Sequence, residues 1–144
     1  MKAVIFDYNR TLFDPDKDAL YPEVIEVLGG LKKTVLMALI AKGDANRMEK
    51  IRNLGLLKYF KLVIINQEKS VADFEKCVKE LGLPAKDIFV VGDRVNEEIR
   101  CGKSIGAVTV WFRNGKFKDE LPKGKEEEPD YTIDDLKKLF EIIR

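Results

Sequence analysis

The chain has 144 residues, with 26 basic against 25 acidic side chains and a hydrophobic fraction of 45%. That length can bury a real core, and the balanced charge gives no global pull toward nucleic acid or anionic membranes. There is no histidine, which excludes Ser-His-Asp and Cys-His catalysis and every His-ligated metal site. A metal here must sit on oxygen ligands, as Mg²⁺ does.

The first predicted element is a buried strand over Ala3-Val4-Ile5-Phe6, which runs into Asp7 and the polar turn Tyr8-Asn9-Arg10-Thr11. In an open α/β sheet ligands bind at the carboxyl ends of strands. Asp7 is therefore either a strand-end cap or a group placed for chemistry. A polar connection follows, then a helix from about Pro22, with Gly29-Gly30 near its end. A second strand spans 34–40. Asp44 is the expected N-cap of a helix to about Leu54, stopped by Gly55. A third short strand covers 62–65. Ser70 caps a helix through Leu81, with Val71, Phe74, Cys77, Val78 and Leu81 at helical spacing. A fourth strand, 88–91, ends in Gly92-Asp93; a helix over 96–104 and a fifth strand over 107–112 follow. Residues 113–130 read as a solvated loop, and Ile133 to Ile143 as an amphipathic closing helix.

Strands alternating with helices predict one α/β domain over 1–144, with a mostly parallel sheet and helices on both faces. Two cysteines, Cys77 and Cys101, are too few for a disulfide framework and suit a reducing compartment. No apolar stretch reaches membrane-spanning length. The expectation is a soluble, cytoplasmic protein, and its charge-rich, glutamine-poor composition suits a thermophile.

Asp7 and Asp93 end two strands, and Glu97 and Glu98 follow Asp93 at a helix start. If the first and fourth strands are neighbours, three carboxylates converge, raising one another's pKa unless a hard cation such as Mg²⁺ relieves them. The plainer alternative is that Asp93 caps a turn and the glutamates favour a helix N-terminus. Which glutamate joins the cluster is left open.

The chain resembles the haloacid dehalogenase (HAD) superfamily of aspartate-nucleophile phosphotransferases. Val4 to Leu12 matches its first motif, and Val90-Val91-Gly92-Asp93 through Glu98-Ile99 its fourth. Leu54 to Phe60, Lys69 with Phe74, Gly102 to Gly106, and Pro129 to Ile133 with Leu136 match in the same order. The resemblance implies a Rossmann-like three-layer fold, with a mostly parallel five-stranded sheet in order 5-4-1-2-3. It implies Asp7 as nucleophile forming an aspartyl-phosphate, and Mg²⁺ held by Asp7, the backbone carbonyl of Asn9, Asp93 and Glu98. It implies Lys69 as the charge partner of nucleophile and phosphate, and a phosphate-binding role for the strand end at Ala41 and Lys42.

Three positions depart from an ordinary HAD phosphatase. Asn9 stands where the general acid/base is usually Asp, Ala41 where Ser or Thr binds phosphate, and Glu98 where Asp is frequent. Arg10 also replaces a frequent glycine. The short stretches 12–22 and 41–69 leave no room for a cap domain. The mouth is therefore expected to be open, for a phosphorylated substrate that is small or macromolecular, or covered by a second copy of the chain. The reading is a slow Mg²⁺-dependent phosphohydrolase; the alternative is a binding or regulatory protein that keeps the metal and phosphate site. A dehalogenase is disfavoured, because Gly92-Asp93 resembles a metal site that such chemistry does not use. A nucleic-acid role would rest on Arg113, Lys116, Lys118, Lys123 and Lys125, which alternate with acids as in a solvated loop.

Overall fold

The structure is a computed structural model describing residues 1–143. Its centre is a parallel sheet of β1 (Lys2–Asp7), β4 (Val35–Lys42), β5 (Leu62–Asn66), β6 (Ile88–Gly92), β7 (Val108–Phe112) and β8 (Tyr131–Ile133), in order β5-β4-β1-β6-β7-β8. A two-stranded hairpin, β2 (Phe13–Asp14) with β3 (Ala19–Leu20), stands apart. The expected five-strand order is present, extended by one edge strand.

Alternation along the strands divides the core. Val4 and Phe6 of β1 face one layer with Val35, Met37, Leu39 and Ala41 of β4; Ala3 and Ile5 face the other with Ala38 and Ile40. Both faces are covered, so the strands read as continuous apolar runs rather than alternating ones. Helix α1 (Val24–Leu31) and the C-terminal turns Leu136–Lys138 and α5 (Leu139–Ile142) pack on the first face. Helix α3 (Val71–Leu81) packs on the second.

The chain end corrects the sequence expectation. The predicted helix 133–143 begins as the last residue of β8, which pairs Val110 with Tyr131 and Phe112 with Ile133. Three residues are too few to show a two-residue period. What holds the strand is tertiary: Asp130 accepts from the Thr109 N–H at 2.8 Å and the Thr109 hydroxyl at 3.1 Å. Residues 113–130 are also more than a solvated loop. They form two short 3-10 turns, and Glu127 is buried with its carboxylate accepting from the Lys123 N–H.

The chain builds outward from β1 in one direction through β4 and β5, then crosses to β6 on the other side. The carboxyl ends of β1 and β6 therefore lie together at the switch in strand order, where open α/β sheets bind ligands. The β1–β4 connection holds the hairpin and α1; the β4–β5 connection holds α2 (Ala45–Asn53) and one 3-10 turn. Among the described residues, no helix is long and apolar enough to cross a membrane.

Candidate active site

Asp7 is the last residue of β1 and is buried. In the turn after it the Tyr8 carbonyl receives the N–H groups of Thr11, Leu12 and Phe13, and the Phe13 carbonyl receives that of Arg10 at 2.7 Å. That fold-back returns the buried Thr11 hydroxyl to donate to Asp7 Oδ2 at 3.1 Å. Arg10 takes a left-handed conformation at φ 63°, which costs roughly 1 kcal/mol or more for a residue with a Cβ and explains why glycine suits the position.

Asp93 follows β6, and its backbone carbonyl accepts from the Trp111 indole at 2.9 Å. The next residues form one turn of π-helix, Val95–Ile99, leading into α4 (Arg100–Ser104). This turn separates the two glutamates. Glu98 points inward, buried, with Oε1 accepting from the Arg94 N–H at 3.3 Å. Glu97 points to the mouth and pairs with Lys42 at 2.6 Å and Arg94 at 3.1 Å. Gly92 is what lets Glu98 in, since a Cβ there would lie 2.3 Å from Glu98 Cγ. Glu98, not Glu97, joins Asp7 and Asp93: their carboxylate oxygens lie within 4.8 Å of one another.

Lys69 arrives from the far side, on the short link between β5 and α3. Asp73, in the first turn of α3, anchors that link by accepting from Asn66 Nδ2 at 2.6 Å and from the Ser70 N–H at 3.1 Å. The Lys69 ammonium, only 5% exposed, donates to Asp7 Oδ1 and, at 3.2 Å, to Glu98 Oε2. Both oxygens of Asp7 thus have partners. Burial pulls the Lys69 pKa down, but Asp7 and Glu98 more than offset that and hold it above its ordinary value.

Three carboxylates face one ammonium. Burial first, then Asp7 and Glu98, pushes Asp93 up to about 10; burial first, then Asp7, pushes Glu98 up to about 8, with Lys69 opposing. A divalent ion on oxygen ligands would supply countercharge here, and the donor set fits Mg²⁺. An acid whose folded pKa is raised contributes stability that is complete below its unfolded pKa, near 4, and is lost as pH rises through the folded value. Stabilisation by Mg²⁺, which would bind the ionised acids, is therefore expected to grow between about pH 5 and pH 9. Thermal melts with and without Mg²⁺ across that range measure it; a pH-independent Mg²⁺ increment would contradict it.

The cavity over the cluster has a volume of about 150 Å³ and is lined by Asp7, Asn9, Lys42, Lys69, Asp93 and Glu98, among others. Asn9 lies at its exposed rim. Ala41 does not reach it: its methyl group is buried in the core, so the strand end offers Lys42 but no side chain from Ala41. Four further residues about the cavity were not singled out as site residues from sequence: Thr11, Arg47, Arg94 and Phe117. Arg94 stacks on Phe117, 3.9 Å from the ring centre, and pairs with Glu120 at 2.8 Å; Glu120 also accepts from the Val95 N–H. Segment 113–120 thus walls the mouth, a long-range contact with no local signal.

A family model described as HAD-hydrolase-like matches residues 71–139. The glyceraldehyde 3-phosphate phosphatase of Methanopyrus kandleri is 31% identical over 149 residues, covering 99% of this chain and 63% of that protein. The protein of the same name from Methanocaldococcus jannaschii is 34% identical over 131 residues, covering 86% and 56%. A HAD phosphatase structure from Thermococcus onnurineus superposes with TM-score 0.81 at 20% identity, over 99% and 98% of the two chains. Over essentially its whole length the chain is similar to members of the HAD superfamily. It spans only about 60% of the length of the curated relatives named above. Within the HAD frame, Glu98 reaches the acid cluster despite its extra methylene, whereas Asn9 and Ala41 remain true departures at the rim and the strand end.

Proposed function

We propose that the protein is a Mg²⁺-dependent phosphatase that acts on a phosphate monoester through an aspartyl-phosphate on Asp7. The observation that carries this reading is the buried triad Asp7, Asp93 and Glu98, with Asp7 held on one oxygen by Lys69 and on the other by Thr11. The relatives' names support a phosphate ester as substrate. A carboxylate oxygen of Asp7 attacks phosphorus as the P–O ester bond breaks, the leaving oxygen taking its proton from solvent; water then attacks the phosphorus, gives its proton to solvent and releases inorganic phosphate, restoring the carboxylate. Thr11 and Lys69 fix the direction of attack, and Lys69 and Lys42 offset charge on the phosphoryl oxygens.

Asp7, Asp93, Glu98 and the Asn9 carbonyl would hold Mg²⁺, which when bound orients the phosphoryl group and shields its charge. Asn9 cannot give the leaving oxygen a proton or take one from water. A specific second reading rests on it: a phosphate-binding or regulatory protein in which turnover is slow. We place the protein in the cytoplasm, consistent with its two free cysteines. A second copy of the chain over the open mouth is part of the same proposal.

The test is hydrolysis of p-nitrophenyl phosphate with Mg²⁺. Asp7→Asn is expected to reduce turnover by roughly 10⁴-fold or more, as loss of a nucleophile does. Mg²⁺-dependent turnover that survives Asp7→Asn would sink the mechanism.

A further inference from the structure

Beside the 150 Å³ cavity lies a larger cleft of about 650 Å³, between the β2–β3 hairpin and α2. The small cavity is below the usual size of a ligand site, roughly 300–1,000 Å³, whereas the cleft is within it. Lys42 and Arg47 line both, so they form one continuous depression. A phosphoryl group fits over Asp7, and the remainder of the substrate must extend somewhere. We infer that the cleft receives the leaving group, and that this group carries a second anion, a carboxylate or another phosphate, met by Arg47 and Lys50. The inference rests on the phosphatase reading above and deepens it.

The cations of the cleft are preset. The Arg47 guanidinium lies 5.0 Å from the centre of the Tyr8 ring, and its Nε donates to the Lys42 carbonyl at 3.0 Å. Among the described residues it has no carboxylate partner. The Lys50 ammonium lies 5.0 Å from the centre of the Phe13 ring and pairs with Asp18 at 2.6 Å. Asp18 is well exposed, so that pair is weak and open to exchange for a ligand anion. The other acid of the cleft, Asp44, is committed to capping α2 through the Asn46 N–H at 2.9 Å. Lys42 is already paired with Glu97 across the small cavity. Arg47 is thus the uncompensated charge, and its planar donor face suits a carboxylate or phosphate. An anion there would lie between aromatic-backed cations whose side-chain freedom is already restricted, so little entropy is lost on binding.

The test compares phosphate esters that differ in the distal group: glycerol 3-phosphate, 3-phosphoglycerate and propane-1,3-diyl bisphosphate. Wild type is expected to favour at least one of the two distal anions over glycerol 3-phosphate by about tenfold or more in kcat/KM, the scale of one charge-assisted contact. Which of the two is favoured separates a carboxylate from a second phosphate. In the Arg47→Gln/Lys50→Gln double variant the ratio is expected to fall to about one. Loss of fold lowers all rates together and leaves the ratio in place, so the ratio reports the subsite alone. A wild-type ratio near one, or a preference kept by the double variant, overturns the proposal. The same ratio is read from Kd by calorimetry, independently of turnover. Binding preference without Asp7-dependent turnover upholds the subsite and removes the phosphatase reading; turnover without preference does the reverse.

Discussion

Asn9→Asp is expected to raise hydrolysis of an alkyl phosphate such as glycerol 3-phosphate by roughly 10²-fold, within the 10²–10⁴ range of general acid–base catalysis. That is about 3 kcal/mol of barrier. Asn9 lies at the rim of the cavity that holds Asp7, where an acid could protonate the departing oxygen and then activate water. The change is nearly isosteric, and the turn it sits in is held by main-chain donors on the Tyr8 carbonyl, so the backbone should not move. Asn9 is exposed, so the added charge stays solvated. The gain should be smaller for p-nitrophenyl phosphate, because nitrophenolate leaves without a proton. Steady-state kinetics on both substrates checks the size and the order of the two effects. A fall in activity would show that the amide itself serves the reaction, for example by holding a phosphoryl oxygen, and would remove the regulatory reading.

Lys69→Met should remove turnover and also destabilise the metal-free protein by roughly 3 kcal/mol, the scale of breaking a buried ion pair at one partner. For a chain of this size that is a fall of about 10 °C in Tm. The reason is that the buried Lys69 ammonium pairs with Asp7 and Glu98, and the variant removes that countercharge. Mg²⁺ should restore more stability to the variant than to wild type, since it becomes the only countercharge. Thermal melts with chelator and with Mg²⁺ measure both quantities. A chelated Tm within about 1 °C of wild type would mean that Lys69 carries no electrostatic load.

The two acids and their strands were legible because the signal is local. The run Ala3 to Phe6 alternates between the two faces of the sheet and ends at Asp7; the run Ile88 to Val91 ends at Gly92-Asp93. Composition alone narrowed the metal chemistry to oxygen ligands, since there is no histidine. The Asp44 cap and the start of α3 after Ser70 also stood in the sequence, because capping uses residues within one turn.

Other features depend on which distant residues meet. The β1–β6 pairing, which brings Asp7 to Asp93, joins segments some 85 positions apart. Helical spacing could not choose between Glu97 and Glu98, because the turn that carries them is a π-helix, wider than the regular 3.6-residue period. Arg94 reaches Glu120 and Phe117 across a segment whose composition reads as solvated loop. Strand β8 depends on Asp130 and Thr109 rather than on any pattern of its own three residues. The sequence by itself determined the layers, the strand-end acids and the class of metal they could hold. Only the tertiary structure decided that Thr11 returns to Asp7, which glutamate points inward and which cations line the neighbouring cleft, because each depends on how the chain folds back on itself rather than on a local pattern.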